Sequence, residues 1–270
     1  MTADRTLFDT TMVLYHRSLD DRVRQAAEKS FVDNRPTTIS ALSLVELKGN
    51  YIQDLVLLYK KISTSDSFNE AYSKIDSTGG RRATLMVGQL INCLGGIHYH
   101  VEPWVEAKQE LLTYIDAQIA ASWDEFNNIA DYVADEFQCT RATEAPDDDG
   151  EGWAVSIPHC KRVNTKCSIE KFVDGFRAEL ERLVSELSAL DESMLTDELR
   201  RILAVASKTI KSGRFPFEGR TCRSVADLII GLQSVLHKAL VSSNYKEHQV
   251  LHKVLNYTFL NFPISEIRSK

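Results

Sequence analysis

Thr6-Leu7-Phe8-Asp9-Thr10 is the stretch on which the fold turns. A β-branched residue and two large apolar ones are followed at once by an acid, which reads as a short buried strand, Thr6–Phe8, ending in a turn at Asp9. Working outward, Asp20–Ser30 has helical spacing, with Val23, Ala26 and Ala27 on one face. Thr37–Ile39 reads as a second short strand. Ser40 then has the chemistry of an N-cap, and Leu42, Val45, Leu47, Leu55, Leu58 and Tyr59 extend a helix to about Ile62. The far end of the chain has the same texture: a helix over Ser224–His237, a strand over Ala239–Ser242, a turn over Ser243–Lys246, a helix over Glu247–Leu255 and an edge strand over Phe259–Ile264 that contains Pro263. Alternation of short strands with helices is the pattern of an α/β layer fold with a parallel sheet.

The middle of the chain reads as helical. Phe68–Ile75 is one candidate, and Ala83–Leu94, ending at Gly95-Gly96, is another. Pro103 opens a long helix whose apolar residues recur at three- and four-residue steps from Val105 to Phe137, carrying it to Gln138. Residues 145–152 form a loop, and Ile169–Leu190 and Leu199–Ile210 are further amphipathic helices.

Composition bounds the rest. The chain has 270 residues, 43% hydrophobic and 26% charged, with a formal charge of −6. Those values fit a globular protein and exclude disordered and collagen-like classes. No window holds 18 apolar residues, so no transmembrane helix is expected, and Asp9 interrupts the only apolar run near the start, which argues against a secretory signal. Five irregularly spaced Cys fit a reducing cytoplasm better than a disulfide framework. The acidic total argues against a protein that coats nucleic acid through bulk positive charge. The charge is uneven: residues 65–215 carry 16 Lys+Arg against 26 Asp+Glu, while the two ends together carry 16 against 12. This divides the chain into a discontinuous α/β domain, 1–64 and 216–270, and an acidic helical insertion, 65–215.

Four polar residues fall where strands end or helices begin: Asp9 after the first strand, Glu46 on the helix after the second, Asp227 at the opening of a late helix, and Asn244 after the late strand. In open α/β sheets, ligand sites gather beyond the carboxyl ends of the strands, so these positions converge. Carboxylates crowded together repel unless a cation lies between them, and hard ions such as Mg²⁺ or Mn²⁺ suit oxygen ligands. The same stretches, Leu7-Phe8-Asp9-Thr10, Ile39 to Glu46, Val225 to Gly231 and Ala239 to Leu251, resemble those of the PIN-domain nucleases. The resemblance implies a three-layer α/β/α domain, a metal held by Asp9, Glu46 and Asp227, and a fourth polar position at Asn244 with Ser242 as its hydroxyl companion. It also implies supporting roles for Thr10 and Ser40 toward ligands or phosphate.

The activity implied by the resemblance is that of a cytoplasmic, Mg²⁺- or Mn²⁺-dependent endoribonuclease acting through metal-activated water, with single-stranded DNA as the alternative substrate. A role as the toxin of a toxin–antitoxin pair, or as a similar defence effector, is implied with it. The expected partners are RNA, an antitoxin or other regulatory protein and a second copy of the chain. Two departures motivate a second reading, a PIN-like binding or scaffold module with weak or absent catalysis. Asn244 stands where many members have Asp, and about 150 residues intervene between the two halves.

Other candidates carry less. Arg220 and Arg223 lie just before Asp227, where phosphate contact is expected. Cys139, His159, Cys160 and Cys167 lack the paired knuckle spacing of a zinc site, and His98 and His100 read as loop residues. Asp124, Glu125, Asp131 and Asp135 are read on the long helix, one of them as a candidate extra acid. No phosphate-binding loop, dinucleotide fingerprint or nucleophile elbow occurs.

Overall fold

A computed structural model describes residues 4–18, 20–97, 103–139, 147–148, 153–154, 167–216 and 221–269. The chain starts with β1 (Thr6–Phe8), α1 (Thr10–His16), α2 (Asp21–Asp33), β2 (Thr37–Ser40) and α3 (Ala41–Leu47). A π-helical turn, Lys48–Ile52, leads without a break into α4 (Gln53–Ser63), then α5 (Phe68–Asp76), α6 (Gly80–Ile97) and α7 (Trp104–Asn128). β3 (Tyr132–Ala134) comes after it, then a short antiparallel pair, β4 (Asp147–Asp148) and β5 (Trp153–Ala154). Next come α8 (Ile169–Asp174), α9 (Arg177–Ala189), a 3₁₀ turn at Glu192–Met194 and α10 (Asp197–Ser212). The chain closes with α11 (Thr221–Ser224), α12 (Ala226–Ser234), β6 (Ala239–Ser242), α13 (Tyr245–Leu255), β7 (Phe259–Asn261) and α14 (Ile264–Ser269).

The main sheet has five parallel strands in the order β3-β2-β1-β6-β7. The fold is therefore α/β. Every residue of β1, β2 and β6 is buried, so both faces of the sheet centre are covered. From β1 the order runs outward in both directions, to β2 on one side and β6 on the other, which makes β1/β6 the switch point of the sheet. Register aligns the two strand ends there: Phe8 pairs with Val241, and Asp9 N–H donates to the Val241 carbonyl (3.1 Å). Phe8 stacks on Phe31 of α2 with centroids 4.1 Å apart.

The chain divides into two compact units. One comprises 1–46, 129–143 and 158–270, and the other 47–128 and 144–157. This differs from the division expected at 65 and 215. The run from 129 to 215 is not all insertion: β3 pairs with β2, and α9 packs on α13 and α10. Conversely, the helix expected to run on to Ile62 leaves the first unit at Leu47, and its continuation α4 packs with α5, α6 and α7. That second unit is helical around Ile52, Leu55, Leu58, Ile115, Ile119 and Phe126, with Asp54 paired to Arg82 (2.7 Å). Among the described residues no helix is long and apolar enough to cross a membrane.

Three sequence expectations change. The long helix stops at Asn128 instead of Gln138. Asn127 and Asn128 turn their side-chain amides back onto the carbonyls of Trp123 (2.9 Å) and Asp124 (2.7 Å), ending the ladder. The chain then enters β3, and Asp131 accepts from Thr37 N (2.8 Å) and Thr37 Oγ1 (3.0 Å) to hold β3 beside β2. Gly95-Gly96 does not end α6. A Cβ at Gly96 would lie 2.5 Å from the Tyr114 ring, so this glycine serves close packing of α6 on α7. Ile169–Leu190 is two helices, because Phe172 turns against Phe137 and Phe176 and the chain breaks at Gly175.

One buried network ties β2, β3 and α12 together. Ser40 Oγ donates to Gln233 Oε1 (2.6 Å), and Gln233 Nε2 donates to the Ala134 carbonyl (3.2 Å) and to Glu136 Oε2 (2.6 Å). Gln233 is fully buried, so Gln233→Leu strands three polar partners and is expected to lower unfolding free energy by about 2–4 kcal/mol. Urea denaturation measures this; a loss below about 0.5 kcal/mol would mean the network does not hold the strand.

Candidate metal centre

The site forms where β1 and β6 end side by side. Asp9 follows β1 directly and is the N-cap of α1, its Oδ1 accepting from Thr10 N (2.6 Å). Its other oxygen, Oδ2, accepts from Ser242 Oγ (2.7 Å) at the end of β6 and from Thr11 Oγ1 (3.2 Å). Asp9 is 3% exposed, and these three donors fix the plane of its carboxylate. Ser242 is doubly used, since its Oγ also accepts from Asn244 N (2.9 Å).

Asp227 comes from the first turn of α12, where the positive end of the helix suits a carboxylate. Its Oδ2 accepts from Asn244 Nδ2 (2.7 Å). One turn beyond Asn244 on α13 lies His248, whose backbone N–H bonds to the Asn244 carbonyl (3.2 Å). The ring of His248 is completely buried. Nδ1 is 2.8 Å from Tyr257 Oη, while Nε2 points at Asp227 Oδ1 from 3.8 Å and has no hydrogen-bond partner. Ligand atoms of Asp9, Asp227 and His248 all lie within 4.8 Å of one another, the one such group among the described residues.

The electrostatics follow from burial. Desolvation raises the Asp227 carboxyl well above the ordinary carboxylate range, and the charges of Asp9, Glu198, Glu46 and Glu247 push it further. Burial lowers His248 to about 4, so its imidazole is neutral at pH 7. Asp9 opposes that shift, and His252 reinforces it. Burial and the nearby acids also raise the Tyr257 phenol, which keeps its proton. Two carboxylates and a neutral ring nitrogen facing one another form a donor set that fits a divalent cation.

The other expected residues divide. Glu46 is brought to the site, but through Thr10, whose Oγ1 donates to Glu46 Oε2 (2.7 Å); it stands beside the tight group of three and outside it. Asn244, the expected fourth polar position, reaches the site as a hydrogen-bond donor to Asp227. Ser40 turns its hydroxyl to the core: it is fully buried and engaged with Gln233 and with Leu42 N (3.1 Å). Arg223 lies in α11, but its side chain is outside the described residues, as are Arg220, His98, His100, His159 and Cys160. Asp131 serves β2, and Asp135 accepts from Cys139 N (2.6 Å), so neither supplies an extra acid here.

Three contributors were not singled out from the sequence. His248 is four residues after Asn244 and so shares its helix face, a spacing that could have flagged it. Glu247 belongs to the same turn. Glu198, on α10 and paired with Arg201, falls in the segment read as insertion. Compared with family models, curated proteins and solved structures, the chain gives no match.

The two shifted groups give a signature in the metal-free protein. A depressed His248 pKa contributes stability that is complete above the ordinary 6.5 and is lost as pH falls toward about 4. Facing Asp9, Asp227 and His252, it contributes on the order of 3 kcal/mol at most. A raised Asp227 pKa works oppositely: its contribution is present at low pH and is lost as pH rises through the folded value. Thermal melts from about pH 4 to 9 are expected to show both limbs. His248→Gln should flatten the loss of stability toward acid pH, and Asp227→Asn the loss that accompanies rising pH; melts of both variants parallel to the parent would refute the assignment.

Proposed function

We propose that this chain is a metal-dependent nuclease of the PIN type, most readily an endoribonuclease. One observation carries the reading: acids from opposite ends of the sequence, Asp9 and Asp227, meet within 4.8 Å of each other and of His248, just beyond the ends of β1 and β6. The parallel sheet and the position of that group at its switch point support it. Asp9 and Asp227 would hold a divalent cation such as Mg²⁺ or Mn²⁺, with Glu46 beside them. When bound, such an ion neutralises charge on a phosphodiester and lowers the pKa of water.

The residues around the ligands have separable roles. Ser242, Thr11 and the Thr10 N–H hold the Asp9 carboxylate in one orientation, and Asn244 does the same for Asp227. Thr10 links Glu46 to this frame, placing a further negative charge at the mouth. Glu198 and Glu247 add to it, so the free site repels a phosphate backbone. In this reading substrate approach and cation binding are linked through the same charges. The amide of Asn244, which lacks the charge of an acid, favours the second reading, a PIN-like binding module with little catalysis.

Cleavage of single-stranded and structured RNA, with single-stranded DNA alongside, decides between them. The parent protein is expected to cut RNA only with Mn²⁺ or Mg²⁺ present. Asp9→Asn or Asp227→Asn should each reduce the rate by roughly 1,000-fold, the scale of several kcal/mol of lost charge stabilisation. Equal rates for all three proteins, or no metal dependence, would remove the nuclease proposal.

A further inference from the structure

We propose that His248 is itself a ligand, supplying Nε2 to the cation between Asp9 and Asp227, and that it tilts the site toward Mn²⁺-like transition ions over Mg²⁺. This rests on the metal-site reading above and adds a residue and a selectivity to it. The motivating observation is an orphan: Nε2 is wholly buried, has no hydrogen-bond partner, and faces the Asp227 carboxylate from 3.8 Å, with Asp9 in the same close group.

Geometry separates two explanations of that orphan. If Nε2 carried the proton, it would be expected to donate to Asp227, but at 3.8 Å no hydrogen bond is made. Two ligands each about 2.1 Å from a shared ion stand roughly 3–4 Å apart, and the observed gap falls in that interval. The other ring nitrogen supports the ligand role. Nδ1 lies 2.8 Å from Tyr257 Oη, and a proton on Nδ1 donated to that oxygen leaves the Nε2 lone pair facing the acids. Ligating histidines are regularly held this way, with the second nitrogen bonded to a fixed partner that sets tautomer and ring plane. The ring is further fixed by Phe259, its centroid 5.7 Å away.

Chemistry then sets the preference. Mg²⁺ favours an all-oxygen shell and keeps several waters, whereas imidazole suits first-row transition ions. Replacing one oxygen donor by Nε2 lowers the relative affinity for Mg²⁺. Ion choice at this site is thus governed by α13, which also carries Asn244 at its N-cap.

The test uses the full-length protein stripped of metal and titrated with Mn²⁺, read by electron spin-echo envelope modulation. The parent is expected to bind Mn²⁺ and to show nitrogen modulation, which changes character when histidine is labelled with the heavy nitrogen isotope. His248→Gln should lose the modulation and weaken Mn²⁺ binding at least tenfold, with a smaller loss for Mg²⁺ by calorimetry. His252→Gln, one turn further along α13, should keep the modulation. Tight Mn²⁺ binding by the parent without nitrogen modulation would overturn the ligand role and leave the carboxylate site standing. Modulation that survives in His248→Gln would overturn it as well. Failure of the parent to bind Mn²⁺ at all would overturn both this inference and the metal-site reading beneath it.

Discussion

Two carboxylates cannot both be ionised at close range in a buried crevice unless positive charge stands between them. Asp9 and Asp227 face that constraint, and the surrounding structure is arranged to keep them together. Asp9 is fixed by the ends of β1 and β6 and by three donors, Asp227 by the start of α12 and by Asn244. A fold that merely needed stability would place leucines at such positions. Bringing acids together instead costs free energy that a bound cation or a retained proton offsets, and the raised carboxyl of Asp227 records the proton alternative.

The sheet explains why residues so far apart in sequence share this place. Parallel strands need crossover connections, and each crossover returns the chain to the same end of the sheet, so that all carboxyl ends lie together. β1 and β6 are neighbours although most of the chain lies between them, so the residues just after each strand lie side by side. The second compact unit, 47–128 with 144–157, emerges from the crossover after β2. The next strand, β3, returns to the sheet beside β2, held there through Thr37 and Asp131.

Much of the first unit was legible in the sequence because its signals are local. Thr6–Phe8 and Ala239–Ser242 are apolar runs bounded by turn chemistry, and both are strands at the expected residues. Asp9, Asp227, Ser242 and Asn244 could be placed because each sits one step from such a boundary. Other features depend on partners that spacing does not reveal. The periodicity from Phe126 through Val133 to Phe137 continues a helix on paper, but pairing with β2 makes Tyr132–Ala134 a strand. Ser40 has N-cap chemistry and uses it, but its second bond, to Gln233, turns it inward to the core. His248 carries only a weak sequence signal, its four-residue spacing from Asn244; its buried, unpaired nitrogen shows where it points.

The proposed chemistry rests on a cation shared by Asp9 and Asp227. Crystals of the protein soaked in Mn²⁺ and measured at the manganese absorption edge give the most direct test. An anomalous peak is expected within about 2.2 Å of one carboxylate oxygen from each of these two residues. A soaked crystal with no peak there, or with manganese held only by exposed acids elsewhere, would contradict it.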